Sequence, residues 1–114
     1  MVSTTETVNA FNEAFGRHDL DAVMALMTDD CIFENTLPPP DGERFVGQAA
    51  VRKFWTDFFH DTPKARFEAE EMVVAGDRAV VRWRFDWGDG HVRGIDLIKV
   101  RDGKVAEKLS YVKG

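Results

Sequence analysis

The sequence predicts an α+β fold in which helices come first and an antiparallel run of strands follows. Three observations carry this. Apolar residues recur at helical spacing in the first half; from Ala65 onward the period changes to two; and turn signals at Ala75-Gly76-Asp77, Gly88-Asp89-Gly90 and Asp102-Gly103 divide that second half into four strands.

Ser3-Thr4-Thr5-Glu6 has the form of a capping box, and Val8, Phe11, Ala14 and Phe15 follow at helical spacing, so a first helix is expected from about Thr4 to Phe15. Gly16 stops it. Asp19 is placed to cap a shorter second helix carrying Leu20, Val23, Met24 and Met27, and the two helices pack as a hairpin. Cys31 to Thr36 alternates between Asp29-Asp30 and Pro38-Pro39-Pro40, which describes a short strand that leaves its sheet at the prolines. Gly47 precedes a third helix, Gln48 to His60, with Val51, Phe54, Trp55, Phe58 and Phe59 on a broad apolar face; Pro63 marks its exit. With no repeat or linker, residues 1–114 are expected to form a single domain.

An apolar fraction of 44% suffices for a core of that size. No apolar run approaches the roughly 20 residues of a membrane span. The opening MVSTTETVNAF lacks the basic and apolar regions of a secretory signal, so a cytoplasmic location is expected. The single Cys31, without a cationic neighbour in sequence, is expected to be a packed strand thiol. A net charge of −5 opposes nonspecific nucleic-acid binding, which needs an excess of Lys and Arg. Nine Phe and three Trp, several crowded between Phe54 and Phe59, point instead to a large apolar space being lined or packed.

Particular stretches add to this order of elements: Phe15-Gly16-Arg17-His18-Asp19-Leu20-Asp21, Met27-Thr28-Asp29-Asp30-Cys31-Ile32-Phe33-Glu34-Asn35, Gly47, Arg93-Gly94-Ile95-Asp96, and Val100-Arg101-Asp102-Gly103-Lys104-Val105. Over nearly the whole chain they resemble the nuclear-transport-factor-2-like superfamily, which includes ketosteroid isomerases, SnoaL-type polyketide cyclases and limonene epoxide hydrolases. The resemblance implies a cone-shaped half-barrel, three helices packed on a curved, mostly antiparallel sheet, with a small apolar or aromatic molecule held on the concave face. It also implies a homodimer through the convex face. No cofactor and no metal are expected, and neither nucleic acid nor membrane as a partner.

Asp96 lies in Gly94-Ile95-Asp96-Leu97-Ile98-Lys99-Val100, whose other positions are apolar apart from Lys99. A carboxylate sharing a face with Ile98 and Val100 must be partnered or neutralised. The resemblance gives the matching acid a hydrogen-bonding role toward a developing oxyanion in the isomerases and a general acid/base role in the cyclases; the alternative is an Asp paired with a nearby Arg or Lys. Asn35 falls where the isomerases place their carboxylate base. An amide abstracts no proton, but it can orient a water or a carbonyl, as a matching Asn does in the epoxide hydrolases. Its alternative role is satisfying strand-edge backbone. Phe11 stands where the isomerases keep a Tyr, so two isomerase roles are vacant. Phe11, Phe15, Phe33, Phe58 and Trp83 are candidates for pocket wall, with plain core packing as the alternative.

Arg84-Phe85-Asp86 resembles the Arg-x-Asp of the epoxide hydrolases, although Ser110 occupies the place of their second Asp. Arg82, Arg84 and Asp86 alternate with Val81, Trp83, Phe85 and Trp87, and the simpler reading turns the aromatics inward and the charges outward, with a charged face lining the pocket as the alternative. Arg84 is a substrate-binding candidate on one of these choices. A two-residue Asp102-Gly103 turn would put Leu109 and Tyr111 on the face of Asp96; a three-residue turn with a bulge would put Lys108 and Ser110 there. The resemblance favours Lys108 and Ser110, both candidates for substrate contact. His18, His60 and His91 fall at a helix end and in turns and are read as surface residues. The function these readings favour is a cofactor-free isomerase or cyclase acting on an apolar carbonyl compound. An epoxide-hydrolase-like enzyme and a non-catalytic binding or dimerisation module are the alternatives.

Overall fold

The computed structural model describes residues 2–114. Its first helix, α1 (Thr4–Gly16), opens on the full capping box: Ser3 Oγ accepts from the Glu6 amide at 3.1 Å and Glu6 Oε1 accepts from the Ser3 amide at 3.4 Å. The residue that turns left-handed after it is His18 (φ 57°), not Gly16, which is still helical. Asp19 Oδ1 then accepts from the Ala22 amide and starts α2 (Leu20–Ala25).

Met27, expected in that helix, opens β1 instead. The strand β1 (Met27–Glu34) begins earlier than the alternation suggests, because Met27 pairs with Val105 across the sheet. β2 (Arg44–Val46) went unforeseen: three residues are too short to show a period. Its Phe45 ring stacks on Phe33, and Arg44 pairs with Glu34 across the β1–β2 ladder. Gly47 (φ 87°) takes a conformation that side chains rarely adopt, and α3 (Gln48–Asp61) follows. The Gln48 amide donates to the carbonyls of Met24, Met27 and Thr28, tying the start of α3 to the α2–β1 junction.

The remaining strands are β3 (Arg66–Ala75), β4 (Arg78–Asp86), β5 (His91–Arg101) and β6 (Lys104–Val112). The six-stranded sheet has the order β2-β1-β6-β5-β4-β3, antiparallel throughout except where β1 and β6 run parallel. Its register shifts in three places, once between β1 and β6 and twice in the antiparallel part, where the shifts are single extra residues. Ala69 faces Trp83 while Glu71 faces Arg82, so Glu70 is an extra residue in β3; Lys99 faces Glu107 while Val100 faces Val105, so Ala106 is an extra residue in β6. Such bulges increase local twist and curl a sheet, and here the helices fill the concave side.

The Ala106 bulge resolves the register of the last strand in an unforeseen way. Asp102 and Gly103 both have positive φ (53° and 74°), so the turn is the tight two-residue kind. That turn alone would have put Leu109 inward. The extra residue at Ala106 reverses the alternation, and Lys108 and Ser110 face the Asp96 side. The core beneath the helices contains Val8, Phe11, Val23, Met24, Val51, Trp55, Val81 and Ile98. Cys31 is fully buried among them, and burial pushes its thiol above the ordinary range, consistent with a packed, unreactive sulfur. No helix among the described residues is long and apolar enough to cross a membrane.

Candidate functional site

Between the concave face and the helices lies a cavity of about 480 Å³. Its inner end is built by side chains from four adjacent strands. Phe33 on β1 faces Lys108 on β6, Ser110 on β6 faces Asp96 on β5, and Trp83 on β4 lies beside Asp96. The Asp96 carboxylate is fully buried. Its Oδ1 accepts from the Ser110 hydroxyl at 2.7 Å and from the Trp83 indole N–H at 2.9 Å. Its Oδ2 lies 3.0 Å from Lys108 Nζ in a contact that is an ion pair rather than a directed hydrogen bond. The ammonium directs one N–H to Ser110 Oγ, 3.1 Å away.

The sequence arranges this in identifiable ways. Trp83 lies across β5 at Gly94, where an added Cβ would sit 2.6 Å from the indole and 2.2 Å from the Tyr111 carbonyl oxygen. Only a glycine leaves that room. Lys108, 5% exposed, holds its cation 5.4, 5.2 and 6.0 Å from the ring centres of Phe15, Phe33 and Trp55. Ring faces are negative, so this cage offsets part of the cost of desolvating the ammonium, and Asp96 offsets more.

The walls are aromatic. α1 gives Phe15, α3 gives Phe54, Trp55 and Phe58, and β3 gives Phe67. β4 gives Trp83 and Phe85, two residues apart on one strand face, and Trp87 continues their spacing just past the strand's end. Polar lining is confined to Lys108 and Ser110 at the inner end and to Asn35 and Thr36 where β1 runs out. Leu37 and Trp87, both well exposed, stand at the rim.

Among the residues singled out by sequence, Phe15, Phe33, Asn35, Phe58, Trp83, Lys108 and Ser110 line the cavity. Three expectations change. Phe11 is not pocket wall: it is fully buried, and packs behind the rings of Phe15 and Trp55. Arg84 is not in the pocket either. The period of β4 turns Trp83 and Phe85 inward, which leaves Arg84 and Asp86 paired with each other at 3.1 Å on the outer face. Asp96 shares the inward face with Ile98 as expected, but it is withdrawn from the cavity behind Lys108, Ser110 and Trp83. Any proton it exchanges with a ligand must pass through Ser110 or Lys108. His60 and His91 are exposed, while His18 is half-buried and stacks on Phe59 at 4.7 Å.

Phe85 and Trp87 line the cavity as the inward reading of the aromatic face expects, whereas Phe67 was not singled out, although its two-residue spacing from Ala69 carries the signal. Thr36 ends the stretch read as alternating, two residues past the end of β1, and Leu37 lies beyond it; nothing in the sequence marks either as a pocket residue.

A curved sheet with three helices on its concave side, enclosing an aromatic cavity over a buried strand carboxylate, defines a class of small pocket proteins. The chain belongs to the SnoaL-like domain family, whose family model matches residues 8–108. It is similar, at 44% identity and a TM-score of 0.86, to an NTF2-like protein of unknown function from Mesorhizobium loti, over 97% of this chain and 91% of that one. The same fold occurs in a protein from Kribbella flavida provisionally named a ketosteroid isomerase (20% identity, 97% and 78% coverage, TM-score 0.85). It occurs again in a provisionally named polyketide cyclase from Sinorhizobium meliloti (22% identity, 96% and 99% coverage, TM-score 0.80). At those identities the likeness is one of fold. No curated protein matches the chain.

Proposed function

We propose that the cavity binds a small, mostly apolar carbonyl compound and moves a proton on it without a cofactor, as an isomerase or cyclase does. The observation that carries this is the confinement of strong polar groups at the inner end to one connected set, Lys108, Ser110 and Asp96, under aromatic walls. A carbonyl oxygen reaching that end would accept from the Lys108 ammonium, which polarises the carbonyl and acidifies the neighbouring C–H. Ser110 would take that proton as its own passes to Asp96, and the reverse transfer would reprotonate the product elsewhere. Asn35, at the other polar end of the cavity, would orient a second oxygen of the ligand.

The epoxide-hydrolase alternative loses its support, since Arg84 and Asp86 lie outside the cavity. The test is deuterium exchange at the α-carbon of 2-tetralone in D₂O, followed by proton NMR. The intact protein should accelerate exchange, and Ser110→Ala should reduce it by about a hundredfold, the scale of a lost general base. A tetralone that binds but exchanges at the buffer rate would leave a binding module and no acid/base chemistry.

A homodimer through the outer sheet face accompanies this proposal. Ile95 and Tyr111, cross-strand neighbours on that face, are 38% and 53% exposed, with Val73 exposed further along the sheet. Apolar residues so placed favour association. Sedimentation velocity should give a dimer that Ile95→Glu converts to monomer. A cytoplasmic setting fits the free, buried Cys31.

A further inference from the structure

The geometry points to Ser110 as a covalent nucleophile, able to accept the acyl group of an apolar aryl ester. A nucleophilic hydroxyl needs a base within hydrogen-bond reach, and the base needs a third group to fix it. Ser110 has both: its hydroxyl donates to Asp96 Oδ1 at 2.7 Å, and Trp83 Nε1 holds the same carboxylate at 2.9 Å. The arrangement is more than packing. Trp83 and Lys108 already address Asp96, yet Ser110 also lines the cavity, where an ester carbonyl would meet it.

The reaction balances with these groups alone. Ser110 Oγ attacks the ester carbon as its proton passes to Asp96, and the carbonyl π electrons move to oxygen. Lys108 Nζ, 3.1 Å from Oγ, is placed to donate to the oxyanion. Collapse re-forms the C=O bond and expels the aryloxide, which takes a proton from the Lys108 ammonium as Asp96 returns its own to the amine 3.0 Å away, leaving an ester on Ser110 and a free phenol. Hydrolysis of that ester needs a water and a base. Asp96 is fully buried behind the modified side chain, so water has no direct access to it and the acyl group persists. The expected signature is therefore a single stoichiometric burst rather than steady turnover.

The experiment mixes intact protein with 4-nitrophenyl benzoate. Nitrophenolate should appear in a burst of about one equivalent per chain, followed by a phase at least about tenfold slower, as expected when acyl-enzyme accumulates. Peptide mass mapping should place the benzoyl group on Ser110. Ser110→Ala removes one half-buried oxygen, and a single cooperative unfolding transition would confirm that it folds; its nitrophenolate release should fall to the buffer rate. Asp96→Asn, if it folds, should slow the burst by about a hundredfold. No burst from folded protein, or a benzoyl group on Lys108 instead, overturns the assignment. The outcome is independent of tetralone exchange, because acyl transfer requires no proton removal from carbon.

Discussion

Two ion pairs occupy the same sheet on opposite faces. Lys108 and Asp96 close to 3.0 Å with side-chain exposures of 6% and 0%; Arg84 and Asp86 close to 3.1 Å with exposures of 34% and 33%. Their separations are nearly equal, so Coulomb's law alone hardly distinguishes them. Their surroundings do. The outer pair exchanges solvent for a partner at little gain or loss, because water still screens it. The inner pair gave up its water, and each member depends on the other and on Trp83, Ser110 and three aromatic rings. Charge inside this fold is therefore held at a cost that the site's geometry must offset, and that commitment is what makes the inner pair a candidate for function.

The largest expected effect comes from splitting the inner pair. Lys108→Met leaves Asp96 buried without its cation and should cost about 3–5 kcal/mol in urea unfolding. Replacing both members, Lys108→Met with Asp96→Leu, removes the stranded charge and should recover most of that loss, or exceed the parent. A single-variant cost below about 1 kcal/mol would put the inner pair in the same class as the outer one.

Much of this architecture was legible in the sequence, and what was not has physical causes. The helices announced themselves through caps and apolar spacing, and the change of period at Ala65 marked the meander, because these are local signals. β2 was invisible since its pairing with β1 is a tertiary fact. The face taken by Lys108 hinged on one extra residue: Val105 and Ala106 are both apolar and both buried, so nothing in their composition betrays a bulge. The same limit applied to Arg84. Alternation showed that Arg84 and Trp83 point opposite ways without saying which way is in; nine aromatic cavity residues, eight on five elements and Trp87 just past β4, decide it. Asp96 was marked as unusual by its apolar neighbours, but its withdrawal behind Ser110 depends on side-chain packing that no period encodes.

The next effect tests whether Trp83 is part of what keeps the inner pair closed. Trp83→Phe keeps a ring and removes the N–H that reaches Asp96, at an expected cost of about 1.5–3 kcal/mol. Gly94→Ala places a methyl against the indole and the Tyr111 carbonyl, with a cost of about 1–3 kcal/mol from overpacking. If Gly94 acts through Trp83, the costs should add to less than their sum, by about 0.5 kcal/mol or more in the double variant. Strict additivity would mean that the backbone carbonyl, not the indole, is what the glycine accommodates.

Arg84→Met on the outer face should change stability by less than about 1 kcal/mol and leave tetralone exchange unaltered. A loss of exchange would return Arg84 to the catalytic machinery and break the division between the faces.

A third pair extends the series to the solvated extreme. Asp30 on β1 and Arg101 at the end of β5 meet at the surface, and the hydrogen bond from Arg101 holds the Asp30 carboxyl below its ordinary value of 3.8. The sign follows from linkage: a depressed carboxyl stabilises the fold at pH above its unfolded value, and that contribution fades as pH falls through the lower, folded value. Asp30→Asn should therefore unfold slightly more easily than the parent at neutral pH, and the two should converge in acid. High salt should shrink the difference at neutral pH, because a pair open to water is screened. The inner pair should not respond to salt in this way. If Lys108→Met and Asp30→Asn lost the same fraction of their effect in 1 M salt, where the Debye length is about 3 Å against about 10 Å at 0.1 M, exposure could not be what separates the two faces.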